Sequence, residues 1–148
     1  MDKIRVLVSH NDDEIRNSII STINNLNYAE VIGSATNGTD TYKQIIDLQP
    51  EMVFAKYDMN DMSCLELIKK AKETLQNDLP FFNIIGENIP KDELQEAIEI
   101  TNNKINALIS EQEIHFENYN RTREILKDYK RYQLFKEDES SQEQTKTL

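Results

Sequence analysis

A chain of 148 residues is long enough for one domain with a real core, which at this size removes roughly 70% of the extended chain's surface from water. Seventeen Lys and Arg stand against 27 Asp and Glu, a net charge of -10, which argues against direct binding of nucleic acid or an anionic membrane, since both need clustered cations to displace counterions. Cys64 is the only cysteine and His10 and His115 lie far apart, so an intrachain disulfide is impossible and a zinc site lacks ligands.

Met1-Asp2-Lys3 runs straight into a strand pattern without the apolar segment of a secretion signal, and nowhere is there an apolar run of the roughly 18 residues a membrane span needs. A soluble, cytoplasmic protein is expected. Ile4 to Ser9 reads as a first strand. Ile15, Ile19, Ile20, Ile23 and Leu26 then form a helical stripe, opened by the capping acids Asp12 and Asp13 and ending near Asn27. A second strand is predicted over Ala29 to Ala35, closed by Asn37 and Gly38, and Thr39 caps a helix carrying Tyr42, Ile45, Ile46 and Leu48 that Pro50 stops.

The third strand is Met52 to Lys56, with a helix on Leu65, Leu67, Ile68 and Ala71 fading near Asn77. Phe81 to Ile85 is the fourth strand, and Asn83 within it must find partners or cost about 1 to 3 kcal/mol. Pro90 opens a short helix with Leu94, Ala97 and Ile98 inward, and Ile105 to Ser110 is the fifth strand. From Glu113 a helical spacing through Phe116, Tyr119, Ile125, Leu126, Tyr129 and Tyr132 continues to about Phe135, longer than a small sheet needs. Residues 136 to 148 lack apolar side chains until the last and read as a flexible tail.

Five strand-helix alternations of this kind imply right-handed βαβ crossovers and one parallel sheet. The expected fold is flavodoxin-like: a doubly wound, five-stranded (βα)5 sheet in three α/β/α layers with an extended C-terminal helix. The domain reading is 1–125 for the α/β unit, 126–136 for the extension of the last helix and 137–148 for the tail. No glycine pattern that cradles a nucleotide phosphate is present.

The segment Pro50-Glu51-Met52-Val53-Phe54-Ala55-Lys56, followed by Met59, Met62 and Leu65 at three, six and nine residues beyond Lys56, resembles the "PDVVLLDxxMPxMdGLEL" pattern of the receiver domains of two-component response regulators. The resemblance spans roughly residues 3 to 125. It implies a site at the strand ends, where two acids after the first strand and an acceptor aspartate ending the third hold magnesium during phosphoryl transfer. Here those positions read His10, Asn11 and Lys56. The family's hydroxyl position after the fourth strand is Ile85 or Gly86, its lysine position is Ser110 and its aromatic switch position is Ala107.

Three carboxylates and a lysine give such a site a charge of about -2, whereas Lys56 with neutral His10 and Asn11 gives about +1, which repels a dication. No magnesium, other metal or cofactor is expected, and no aspartyl-phosphate chemistry. Lys56 is expected to fill the vacated metal position, neutralised by Asp12 or hydrogen-bonded by Asn11; the plainer alternative is a lysine that snorkels to water. A shifted register would make Asp58 the acceptor with Asp12 and Asp13 as its acid pair. Cys64 reads as a small apolar residue.

The expected function is that of an atypical receiver domain in signal transduction, a phosphorylation-independent module for protein interaction or dimerisation through the last helix. Tyr119, Ile125, Leu126, Tyr129 and Tyr132 form its candidate interface. The alternative is the regulatory domain of a larger transcription regulator with its output domain elsewhere. An unrelated enzyme on this scaffold ranks third, because no paired base and nucleophile can be named.

Overall fold

The computed structural model describes residues 2–108 and 122–131. Five parallel strands form the sheet: β1 (Ile4–Ser9), β2 (Ala29–Ala35), β3 (Met52–Lys56), β4 (Phe81–Ile85) and β5 (Ile105–Leu108), in the order β2-β1-β3-β4-β5. This is the expected flavodoxin-like order, with the connection direction reversing at β1. Four helices are α1 (Asp13–Asn24), α2 (Gly38–Leu48), α3 (Cys64–Leu75) and α4 (Lys91–Ile100); a fifth, α5, covers residues 122–131.

The alternation of side chains along each strand sorts them into two cores. Leu7, Val53, Ala55, Phe82 and Ile84 face one way and pack with Ile45 of α2, Leu67 and Ile68 of α3 and Ala97 of α4. Val6, Val8, Met52, Phe54 and Ile85 face the other way and meet Ile19 and Ile23 of α1 and Ile125 and Leu126 of α5. Both faces of the central strands are therefore dry, which is why they read as unbroken apolar runs. Phe54 and Phe82 are the largest fully buried side chains, and burying one of that size stabilises by about 1.5–3 kcal/mol.

Local chemistry fixes the helix ends. Asp12 accepts the Ile15 amide as the N-cap of α1, and Ser63 does the same for Glu66 in α3. The expected Thr39 cap of α2 is corrected: Asn37, in an extended conformation, accepts the Asp40 amide at 2.8 Å, so the helix begins at Gly38 and Thr39 lies inside its first turn. Gln49 ends α2 in the left-handed region at φ 46°, and the Arg5 guanidinium reaches the carbonyls of Leu48 and Gln49 at 2.6 and 2.9 Å.

The exposed edge of β2 is closed by side chains. Asn24 Oδ1 accepts the Val31 amide at 3.1 Å, Gln44 Nε2 donates to the Ser34 carbonyl at 2.7 Å, and a register shift against Val6 and Leu7 leaves Ile32 bulged. Such plugs and bulges prevent a second strand from adding at an edge.

The α5 helix crosses residue 125 without a break, and Ile125, Leu126 and Tyr129 pack on the sheet with α1. Tyr129 lies edge-on to Phe81 at 6.2 Å between ring centroids. Two of the five residues read as a candidate interface are thus corrected: Ile125 is 6% exposed and Leu126 is 0% exposed, both in the chain's own core. The apolar stripe of α5 is needed to cover β1, β3 and β4. Tyr119, Tyr132, the remainder of the expected long helix and the 137–148 tail lie outside the described residues.

Candidate functional site

The carboxyl ends of β1 and β3 lie side by side, with Ser9 paired to Ala55, so His10 and Lys56 follow at neighbouring strand ends. Strand alternation puts both on the face covered by α1 and α5. His10 is fully buried; its amide donates to the Ala35 carbonyl at 3.1 Å, and its Nδ1 accepts the Asp12 amide at 3.0 Å. An Nδ1 that accepts a hydrogen bond holds no proton there, so the imidazole in this arrangement is neutral with its proton on Nε2.

The β1-α1 turn is also held by Arg16, which donates to the His10 carbonyl at 2.9 Å and pairs with Asp13 at 2.5 Å. Asn11 is exposed on that turn. Asp12 uses Oδ1 to cap α1 at 3.0 Å from the Ile15 amide. The two acids of the shifted register therefore already serve the start of α1. Asp58 is exposed at a short hairpin, where Asp58–Met59 pairs antiparallel with Met62–Ser63. That hairpin is not legible in the sequence, because its strands are two residues each.

Beyond Lys56 the chain is tied down at every step. Tyr57 donates its amide to the Ile85 carbonyl at 2.7 Å, and its own carbonyl accepts the Cys64 amide at 2.7 Å. Met59 is buried, with its thioether 3.1 Å from the Ser9 hydroxyl, which also lies 2.5 Å from the Thr41 hydroxyl. Asp61 closes the other side: its carboxylate accepts the Gly38 amide at 2.7 Å and the Thr39 amide and hydroxyl at 2.8 and 2.6 Å. The Thr39 hydroxyl and the two amides hold its pKa down at about 2. Gly38 is required there, since a Cβ would come within 2.2 Å of Met62 Cγ.

Asp61 was missed by sequence reasoning, its partners being more than 20 residues away, yet it is the acid that anchors this loop. An open polar cleft of about 400 Å3 lies beside it, lined by Asn37, Thr39, Asp40, Lys43, Asn60 and Asp61. His10, Asn11 and Lys56 do not line that cleft.

Of the two readings of the hydroxyl position, Ile85 is the last residue of β4 and points into the core with α1 and α5. Gly86 follows, buried, and a Cβ on it would stand 3.0 Å from Tyr57 Cβ. Ala107 pairs with Ile84 in the β4-β5 ladder, and Ser110 lies outside the described residues. Cys64 opens α3 fully buried, and burial pushes its thiol pKa up to about 12. Among the described residues, no three His, Cys, Asp or Glu side chains are grouped so as to hold a metal ion.

This architecture defines an α/β protein of the receiver type, as comparison with solved structures shows. The signal receiver domain of NarL from Mycobacterium tuberculosis matches 86% of this chain and 98% of its own at a TM-score of 0.67 and 16% identity. The N-terminal domain of an uncharacterised protein from Wolinella succinogenes matches 90% and 98% at 0.71 and 19% identity, and the response regulator domain of Thermotoga maritima CheB 84% and 97% at 0.62 and 17%. These similarities establish the fold.

By sequence, the chain is 34% identical over 73 residues to protein-glutamate methylesterase/protein-glutamine glutaminase 3 of Geobacter sulfurreducens, a match covering 49% of this chain and 20% of that protein. No family model matches. No helix among the described residues is long and apolar enough to cross a membrane.

Proposed function

We propose that this chain is a receiver-type signalling module that works through protein contact without being phosphorylated. The observation that carries this reading is the state of the strand ends: a lysine closes β3 where the resemblance would place the acceptor, and a buried histidine serving as a hydrogen-bond acceptor follows β1. Gly86, at the hydroxyl position, has its space taken up by Tyr57. A phosphoryl transfer site needs a carboxylate nucleophile and anionic oxygens for magnesium, and His10, Asn11 and Lys56 supply neither.

In this reading Lys56 takes the place of the metal. Asp12 caps α1 through one oxygen, and its other oxygen is the acceptor proposed for the Lys56 ammonium, so that one carboxylate holds the β1-α1 turn and the end of β3 together. The hairpin tied to α2 then stays in one conformation, and signalling rests on surface contacts rather than on a covalent switch. With Ile125 and Leu126 spent on the chain's own core, docking falls to the outer faces of α4 and α5 and to the rest of the last helix.

Treatment with acetyl phosphate or beryllofluoride plus magnesium tests this. Intact mass should show no phosphoryl adduct, and amide shifts at residues 9–12 and 56–58 should not respond to magnesium. A stoichiometric adduct, or a magnesium-dependent shift at Asp58, would reject the reading. A second reading, a regulatory domain governing an output domain on a longer chain, is favoured by the sequence match to one fifth of a longer protein. Sedimentation of the intact protein with and without its native flanking sequence separates the two.

A further inference from the structure

On the face that packs against α1 and α5, the seam between β1 and β3 is wholly apolar, built from Val6, Val8, Met52 and Phe54, each 0% exposed. The seam between β4 and β5 on that face differs. Asn83, 0% exposed at the middle of β4, lies between Phe54 of β3 and Asn106 of β5, and Asn106 Nδ2 donates to Asn83 Oδ1 at 3.1 Å. The amide of Asn83 offers two further donor hydrogens, and its Nδ2 finds no acceptor among the described residues. One hydrogen bond therefore serves a buried amide that could make several, and the shortfall is felt only while the face is closed.

We infer that β5 and α5 form a releasable flap, hinged on the β4 edge, whose latch is the incompletely satisfied Asn83–Asn106 amide pair. β5 is the end strand of the sheet with one neighbour, and α5 covers the same face through Ile125 and Leu126. Lifting the two together returns both amides to water and uncovers Phe54 and Ile85, while the β2-β1-β3 seams and the α2-α3 side stay closed. The polar pair costs little in the open form and is under-satisfied in the closed one, so it lowers the free energy of this opening relative to an apolar seam. It also keeps the register of β5, since a slip by one residue would leave Asn83 without Asn106.

Native-state hydrogen exchange on the full chain tests the flap. Amides of β5 and α5 should exchange at least about tenfold faster than those of β1 and β3, with one shared, shallow denaturant dependence that marks a sub-global opening. Asn83→Val combined with Asn106→Val should slow the flap amides by about tenfold, the effect expected for removing one unsatisfied buried donor. Asn106→Val alone, which strands Asn83, should speed them, and it decides the matter if the double variant does not fold. Exchange of β5 and α5 only together with β1 and β3, or flap rates unchanged in these variants, would overturn the inference.

Discussion

Asp61 and Thr39 are joined twice: the Asp61 carboxylate accepts both the amide and the hydroxyl of Thr39, at 2.8 and 2.6 Å, across the gap between the hairpin after β3 and the start of α2. This contact supplies two orphan donors of a helix terminus with an anion, which the helix dipole favours. It converts the loop following Lys56 from a free connection into part of the α2 cap.

Asp61→Ala should destabilise the protein by about 0.5–2 kcal/mol, the usual worth of a helix cap, because the exposed carboxylate is screened by water and its pKa shift overstates its net effect. The folded pKa of about 2 lies below the ordinary 3.8, so the contribution is present in full above 3.8 and is lost as the pH falls towards 2. Urea denaturation between pH 2 and pH 6 should show the wild-type advantage over Asp61→Asn shrinking across that window. An advantage that does not change with pH would show that the carboxylate's charge has no part in the clamp.

Lys56→Asp should not restore phosphorylation. The substitution returns a carboxylate to the end of β3, but His10 stays buried as an acceptor and Gly86 stays under Tyr57. Intact mass after acetyl phosphate and magnesium should match that of untreated protein, and a stable adduct would show that the remaining strand-end residues suffice.

Gly86→Ser would install a hydroxyl at the position implied by the resemblance. Its Cβ would stand 3.0 Å from Tyr57 Cβ, in a turn whose Tyr57 amide is bound to the Ile85 carbonyl, so relief requires the backbone to move. Overpacking of this kind costs about 1–3 kcal/mol. A thermal midpoint equal to wild type would show that Tyr57 yields freely.

Leu126→Ala should cost about 2–5 kcal/mol through the cavity it leaves over β3 and β4. If instead it left the denaturation midpoint in place and changed only the sedimentation of the protein, Leu126 would belong to an interface after all.

The Cys64 thiol should resist modification by a thiol-exchange reagent at pH 8, since burial raises its pKa to about 12 and thiolate is the reacting species. Reaction should appear only as denaturant unfolds the chain. Prompt stoichiometric reaction of native protein would show that α3 opens readily at its first turn.

The sequence alone determined the strands, because β1, β2, β3 and β4 are short branched-apolar runs bounded by turn residues, and their observed bounds are those read from the pattern. It also determined which residue types stand at the strand ends, since Lys56 is placed by its offsets to Met59, Met62 and Leu65. The helix starts were less legible: Asn37 and Thr39 are both good caps, and the choice between them turned on Asp61, which reaches α2 from the far side of β3.

Only the tertiary structure decided what several of those residues do. The spacing of Ile125, Leu126 and Tyr129 marks an apolar helix face equally well whether it meets a partner or the chain's own sheet, and periodicity carries no information about which. Packing assigned it to β1, β3 and β4. Likewise, Asn83 stands out in the sequence as a polar residue on a buried strand, but its partner Asn106 is set by the register of β4 against β5. Pattern along a chain reports which way a side chain must face, whereas the atom it meets depends on residues distant in sequence.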